Sequence, residues 1–99
     1  MAVKYDQGKP DLSMVSEELV TLVARVRMFG AKKYSRDGWR NGFPFTRSLA
    51  ASLRHIEAFL SGVDNDEESG LCHLGHAVCC FEHFICDMAH NKEMDDRYT

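Results

Sequence analysis

The chain has 99 residues, 44% hydrophobic and 27% charged, with a formal net charge of −3 at pH 7. That length holds one domain, and folding hides only roughly 60–65% of the unfolded chain's surface, so the core is small and partner subunits would help it. An acidic total argues against broad binding to nucleic-acid polymers, and no stretch nears the roughly 18 apolar residues that span a membrane; with no leader pattern at the N-terminus, a cytoplasmic protein without membrane contact is expected.

Residues 1–12 carry Gly8, Pro10 and two aspartates with no apolar period, and read as an irregular N-terminal arm. A helix follows: Ser13 or Ser16 can cap it, Glu17 and Glu18 suit the positive end of its dipole, and Leu19, Val23, Val26 and Phe29 recur at helical spacing. Gly30 is the expected stop. Next comes AKKYSR and then DGWRNGFPF, a long aromatic loop in which Asp37-Gly38, Asn41-Gly42 and Pro44 all favour turns. From Lys32 to Arg54 the segment holds six basic residues against Asp37 alone, a balance suited to a small anionic ligand.

A second helix is predicted from a Thr46 cap through Ser61, with Leu49, Leu53, Ile56 and Leu60 as its apolar stripe. After the acidic turn VDNDEESG a third helix is expected over 71–90, and NKEMDDRYT, residues 91–99, reads as a polar tail. On the third helix Leu71, Leu74, Val78, Phe81, Ile85 and Met88 form a central seam, with Ala77 and Phe84 beside it, expected to pack against the first two helices or a partner. The fold class is thus all-α, a small bundle of three to four helices in one domain, with residues 13–90 as its core and a dimer or tetramer expected.

The third helix holds all four cysteines and, with the residues beside it, four of the five histidines. Cys72, His76, Cys79, His83, Cys86 and His90 form a stripe that looks like metal chemistry, yet one straight helix offers only two tetrahedral ligands and residues 1–54 hold no second Cys or His pair. The thiols are therefore read as reduced packing groups, and with no CxxC motif a redox site is not expected. The turn before this helix is different. Asp64, Asp66, Glu67 and Glu68 lie within five residues, followed by Ser69, His73 and His76. Helix capping, including a variant box of Asp64 with Glu67, explains one or two of those acids. Hard oxygen ligands near a basic cluster suit Mg²⁺- or Mn²⁺-assisted phosphate chemistry.

Four segments in one order, KYDQGKPDLSMVS, FGAKKYSRDGWRNG, LRHIEAFLSG and the run from Asp66 to Ala77, resemble the N-terminal domain of phage and bacterial dATP/dGTP diphosphohydrolases, over roughly residues 3–85. The resemblance implies a link to the all-α MazG-like pyrophosphohydrolases, which use Mg²⁺ or Mn²⁺ to cut a deoxynucleoside triphosphate into monophosphate and pyrophosphate, and a phage-encoded enzyme acting on purine deoxynucleotides in the host cytoplasm. Implied roles follow: Lys32, Lys33 and Arg54 hold phosphates, with Lys4 and Lys9 able to close over them. Tyr34 and Trp39 stack on or wall off the base. Asp66 and Glu67 hold the metal, and Glu67, His73 or His76 serve the reacting water. On geometry Arg54 is retained ahead of His55, since neighbours on a helix point about 100° apart. The chain departs from the MazG-like pattern of paired carboxylates on two helices, because the first helix offers Glu17 and Glu18 side by side and the second only Glu57. A metal box of Glu57, Asp64, Asp66 and Glu67 is one way out; a non-catalytic nucleotide-binding protein and a structural helical oligomer are the alternatives.

Overall fold

The computed structural model describes residues 7–98, in which three helices carry the fold: α1 (Glu17–Lys33), α2 (Phe45–Leu60) and α3 (His73–His90). Short 3-10 turns occupy Leu12–Met14, Gly38–Asn41 and Lys92–Met94. Among the described residues the only β pairing is an isolated bridge from Asn65 to Cys72, so the chain is all-α. No described helix is long and apolar enough to cross a membrane. The bundle centres on α3, which packs against both α1 and α2.

Local chemistry sets the helix ends. Ser16, in extended conformation, accepts the Leu19 N–H at 3.1 Å, as an N-cap should. The helix does not stop at Gly30. It runs a further turn through Ala31, Lys32 and Lys33, good helix formers whose charges suit the negative end of the dipole. At α2 the cap is not Thr46; the helix opens at Phe45 after Pro44, and the Thr46 N–H and hydroxyl both donate to the Asp96 carboxylate, at 2.9 and 2.6 Å. A residue fifty positions away thus supplies the missing N-cap oxygen, and the stretch expected as a free polar tail folds back onto the bundle. The α3 helix begins at His73, later than expected, and Asp64 serves it through its backbone carbonyl, which accepts the His73 N–H at 2.8 Å, rather than through a capping box with Glu67.

The buried faces differ from the apolar stripes. Phe45, Ser48 and Ser52 are the buried residues of α2, while Leu49, Leu53, Ile56 and Leu60 are exposed. Likewise α3 buries His73, Gly75, Ala77, Cys79, Cys80 and Asp87, and leaves Leu74, Phe81, Ile85 and Met88 outside. The reason is close approach: serine, alanine and glycine let helix backbones come together where leucine would hold them apart. At Gly75 an added Cβ would sit 2.6 Å from Leu22 Cγ of α1. The hydrophobic core is correspondingly small: Val26, Phe45, Ala77, Cys79 and Cys80.

One buried carboxylate fixes the aromatic loop. Asp87, 2% exposed, accepts the Phe43 N–H at 3.2 Å and the Asn91 side-chain amide at 2.9 Å, and that amide also donates to the Arg40 carbonyl at 3.0 Å. Gly42 lies between them at φ +99°, where a Cβ would be strained and only 3.2 Å from the Asp87 carboxylate.

Candidate functional site

The acidic turn is a folded loop rather than a run of loose charges. Asp66 makes an Asx-type turn, its carboxylate accepting the Ser69 N–H at 2.9 Å, while Asp66 N–H donates to the Leu71 carbonyl at 2.8 Å. This winding turns Asp66 inward and leaves Asp64, Glu67 and Glu68 exposed. Ser69 Oγ accepts the Leu71 N–H at 3.1 Å and also pairs with His76 Nε2 at 2.7 Å.

Across from it stands His55, on the α3-facing side of α2. Its Nδ1 is 2.9 Å from His73 Nδ1, and its ring stacks on His76 at 4.6 Å between centroids and 11° between planes. His76 Nε2 lies 4.0 Å from the Asp66 carboxylate. Among the described residues one group could hold a metal ion: His55, Asp66 and His73, whose donor atoms all lie within 4.8 Å of one another. Burial and the neighbouring His76 push the His55 pKa below its usual 6.5. Burial does the same to His76 despite the attraction of Asp66. For Asp66 burial acts to raise the pKa, but the Ser69 N–H and the nearby histidines outweigh it, and the net value is lowered.

This corner opens into a cleft of about 600 Å³ between α1, the aromatic loop and α3. His55, Asp66 and His76 line it together with Lys33, Tyr34 and Arg36, and so do Arg27, Trp39, Phe43 and His83, with the Arg47 guanidinium 5.6 Å from the Phe43 ring. Lys33 Nζ donates to both Glu68 carboxylate oxygens, at 2.8 and 2.9 Å, and that contact raises its pKa. Tyr34 is 79% exposed at the mouth. Trp39 is half-buried, with the Arg27 guanidinium 3.9 Å from its ring centroid and that of Arg40 at 4.6 Å, so it is a wall and not a free platform.

The structure thus brings Lys33, Tyr34, Trp39, Asp66 and His76 to one cleft, with His73 directly behind His55. It does not bring the rest there. Lys32 points to a separate apolar groove with Val20, Ala24 and Met28; Arg54 is exposed outside the cleft, as are Glu57, Asp64 and Glu67, so the four-carboxylate box does not assemble within the chain. Lys9 is exposed in the arm, and Lys4 lies outside the described residues. The structure reverses the order given to Arg54 and His55: the stripe Phe45, Ser48, Ser52, His55 faces α3 and takes the imidazole with it. Arg27 was also missed. It donates to Glu82 through Nε at 2.8 Å and lies 2.9 Å from His83 Nε2, and the only sequence signal was an arginine next to the apolar Val26 on a helix face.

The four cysteines are free thiols. Burial raises the Cys79 thiol to about 11 and moves that of Cys80 upward too, which disfavours the reactive thiolate at both.

No solved structure matches the chain. The family described as dATP/dGTP diphosphohydrolase, N-terminal, matches residues 2–97. A relative from Salmonella phage PMBT28, named dATP/dGTP diphosphohydrolase, is 35% identical over 95 residues, covering 96% of this chain and 32% of the relative. The chain therefore spans about a third of that relative's length. With nearly every residue inside one family's bounds, the chain belongs to the dATP/dGTP diphosphohydrolase N-terminal family.

Proposed function

We propose that the chain hydrolyses purine deoxynucleoside triphosphates to the monophosphate and pyrophosphate, with a divalent ion held by His55, Asp66 and His73. The observation that carries this is the meeting of the basic, aromatic segment and the histidine–aspartate corner around one cleft of triphosphate size. The donor chemistry fits a metal: two ring nitrogens and a carboxylate oxygen converge within 4.8 Å of one another. Two imidazoles with one carboxylate suit Mn²⁺ or a later transition metal better than Mg²⁺, which favours oxygen-only sites. An ion held there would offset phosphate charge and make a water easier to deprotonate.

The chain's own groups do the rest. Lys33 exchanges Glu68 for phosphate oxygens, since those carboxylate oxygens already occupy the geometry an anion would take. Arg36 and Arg47 extend the positive mouth. Tyr34 offers an exposed ring to the purine, and Trp39 closes the side. His76, which lines the cleft, can hold its Nε2–H on Ser69 Oγ and take the proton of the attacking water on Nδ1. The water's oxygen joins phosphorus, and the bridging oxygen leaves with pyrophosphate.

The test is incubation with each dNTP and Mn²⁺, reading pyrophosphate release. Turnover of dATP or dGTP that falls roughly 10²–10⁴-fold in Asp66→Ala is expected. Tight nucleotide binding without any turnover would replace the enzyme with a sequestering module.

A further inference from the structure

We propose, on the reading that the cleft takes a purine nucleotide, that Asp87 is a positioning residue for substrate: from outside the cleft it holds Trp39 and Phe43 in place for the base. Trp39 and Phe43 line the cleft and Asp87 does not. Both aromatics belong to residues 38–43, a 3-10 turn over Gly38–Asn41 followed by Gly42 and Phe43. Hydrogen bonds inside this stretch are local, as from the Gly42 N–H to the Trp39 carbonyl at 3.2 Å. Among the described residues its backbone is bonded to another element at two points only. The Phe43 N–H donates to Asp87 Oδ2 at 3.2 Å, and the Arg40 carbonyl accepts from the Asn91 amide at 3.0 Å. Asp87 governs both, because its Oδ1 accepts that same amide at 2.9 Å and so sets the direction in which Asn91 donates.

Stability alone does not ask for a carboxylate at this place. Asp87 is 2% exposed in the last turn of α3, where the helix dipole disfavours negative charge, and among the described residues it makes no salt bridge. An apolar side chain of similar size would avoid that desolvation and leave the loop unattached. The packing is fitted to the attachment: a Cβ on Gly42 would come 3.2 Å from Asp87 Oδ1, 3.3 Å from Asn91 Cβ and 3.0 Å from Met94 Cγ. The loop backbone therefore lies directly against the carboxylate. What it carries is a pair of rings, Trp39 and Phe43, both stacked against His83 at 5.5 and 4.8 Å. His83 orients the ring faces, and Asp87 fixes the backbone from which they project. A base stacking on such a wall binds more tightly when the wall is already in place, since ordering a loose loop on binding costs affinity. The metal-binding candidates His55, Asp66 and His73 stand on other elements, so loosening the loop should weaken nucleotide binding and spare the chemical step.

Asp87→Asn keeps the size of the side chain, but its amide nitrogen cannot accept, so one of the two donors loses its partner. It should raise the KM for dATP or dGTP roughly tenfold, with kcat within about twofold of wild type and Mn²⁺ affinity by calorimetry unchanged. Trp39 is the single tryptophan of the chain, so its fluorescence reports the wall directly. In the nucleotide-free protein acrylamide should quench Trp39 more strongly in Asp87→Asn than in wild type. Combining Asp87→Asn with Asn91→Asp exchanges donor and acceptor between the two side chains and should recover part of both effects, which general destabilisation would not. If Asp87→Asn does not fold by circular dichroism, Gly42→Ala, which pushes the loop off the carboxylate, should give the same rise in KM and in quenching. A wild-type chain that turns over dNTP while the variants leave KM and quenching unchanged, or lower kcat alone, overturns the role of Asp87 and leaves the proposed function standing. A wild-type chain that neither binds nor cleaves any dNTP overturns the proposed function and, with it, the substrate role of Asp87, whatever the quenching shows.

Discussion

Two histidine clusters border the cleft, and they differ in the charged groups that accompany them. At His83 the imidazole already has its cation: Arg27 lies 2.9 Å from Nε2, Glu82 balances the arginine, and the rings of Trp39 and Phe43 stack on His83 at 5.5 and 4.8 Å. In the other cluster His73 and His55 bring their Nδ1 atoms within 2.9 Å of each other with Asp66 beside them. A permanent guanidinium makes the first cluster a structural brace. Under the proposed function, the second cluster would instead be completed by a metal ion.

The sharpest way to break this contrast is to exchange the fates of the two histidines. His73→Ala should abolish Mn²⁺ binding measured by calorimetry and lower pyrophosphate release roughly 10²–10⁴-fold, while His83→Gln should retain metal binding. Equal loss of metal in both variants would erase the distinction. Arg27→Ala comes next: it leaves the half-buried Glu82 and His83 without their partner and should cost about 1–3 kcal/mol in denaturant unfolding, with Mn²⁺ affinity retained.

A smaller effect is expected in pH. Burial and the adjacent Arg27 lower the folded-state pKa of His83 to about 4 from 6.5. Between those values the unfolded chain takes up a proton that the folded chain refuses, so stability is full above about pH 6.5 and falls as pH drops toward 4. His55 and His76, also lowered, add to the same slope. In melting curves from pH 7 to 4.5, His83→Gln should flatten the decline without removing it. The smallest expected change separates neighbours on α1: Lys33→Ala should raise the KM for dNTP several-fold, and Lys32→Ala, outside the cleft, should leave it unchanged.

Much of this was legible in the chain before any coordinates. Ser16 as a cap and three helices follow from local rules that act within a turn or two; the grouping of Lys33, Tyr34 and Trp39 is what the family resemblance implies, and the three do line one cleft. The family resemblance, carried by four motifs in one order, is borne out by the match over residues 2–97. Less legible was which face of each helix turns inward. Periodicity identifies a leucine stripe, and it marked Leu49 to Leu60 and Leu74 to Met88 correctly as apolar. It is silent on whether the chain itself or a neighbour covers them.

By itself the sequence determined the elements and the chemistry available, because helix formation, capping and charge depend on residues close in the chain. Only the tertiary structure decided that Ser48, Ser52, Gly75 and Ala77 are where helices meet, that His55 and not Arg54 lines the cleft, that Asp66 alone of four acids turns inward, and that Asp96 caps a helix fifty residues earlier. The physical reason is that close approach of backbones and the convergence of side chains from separate helices are set by packing in three dimensions, for which spacing along one strand of sequence carries no term.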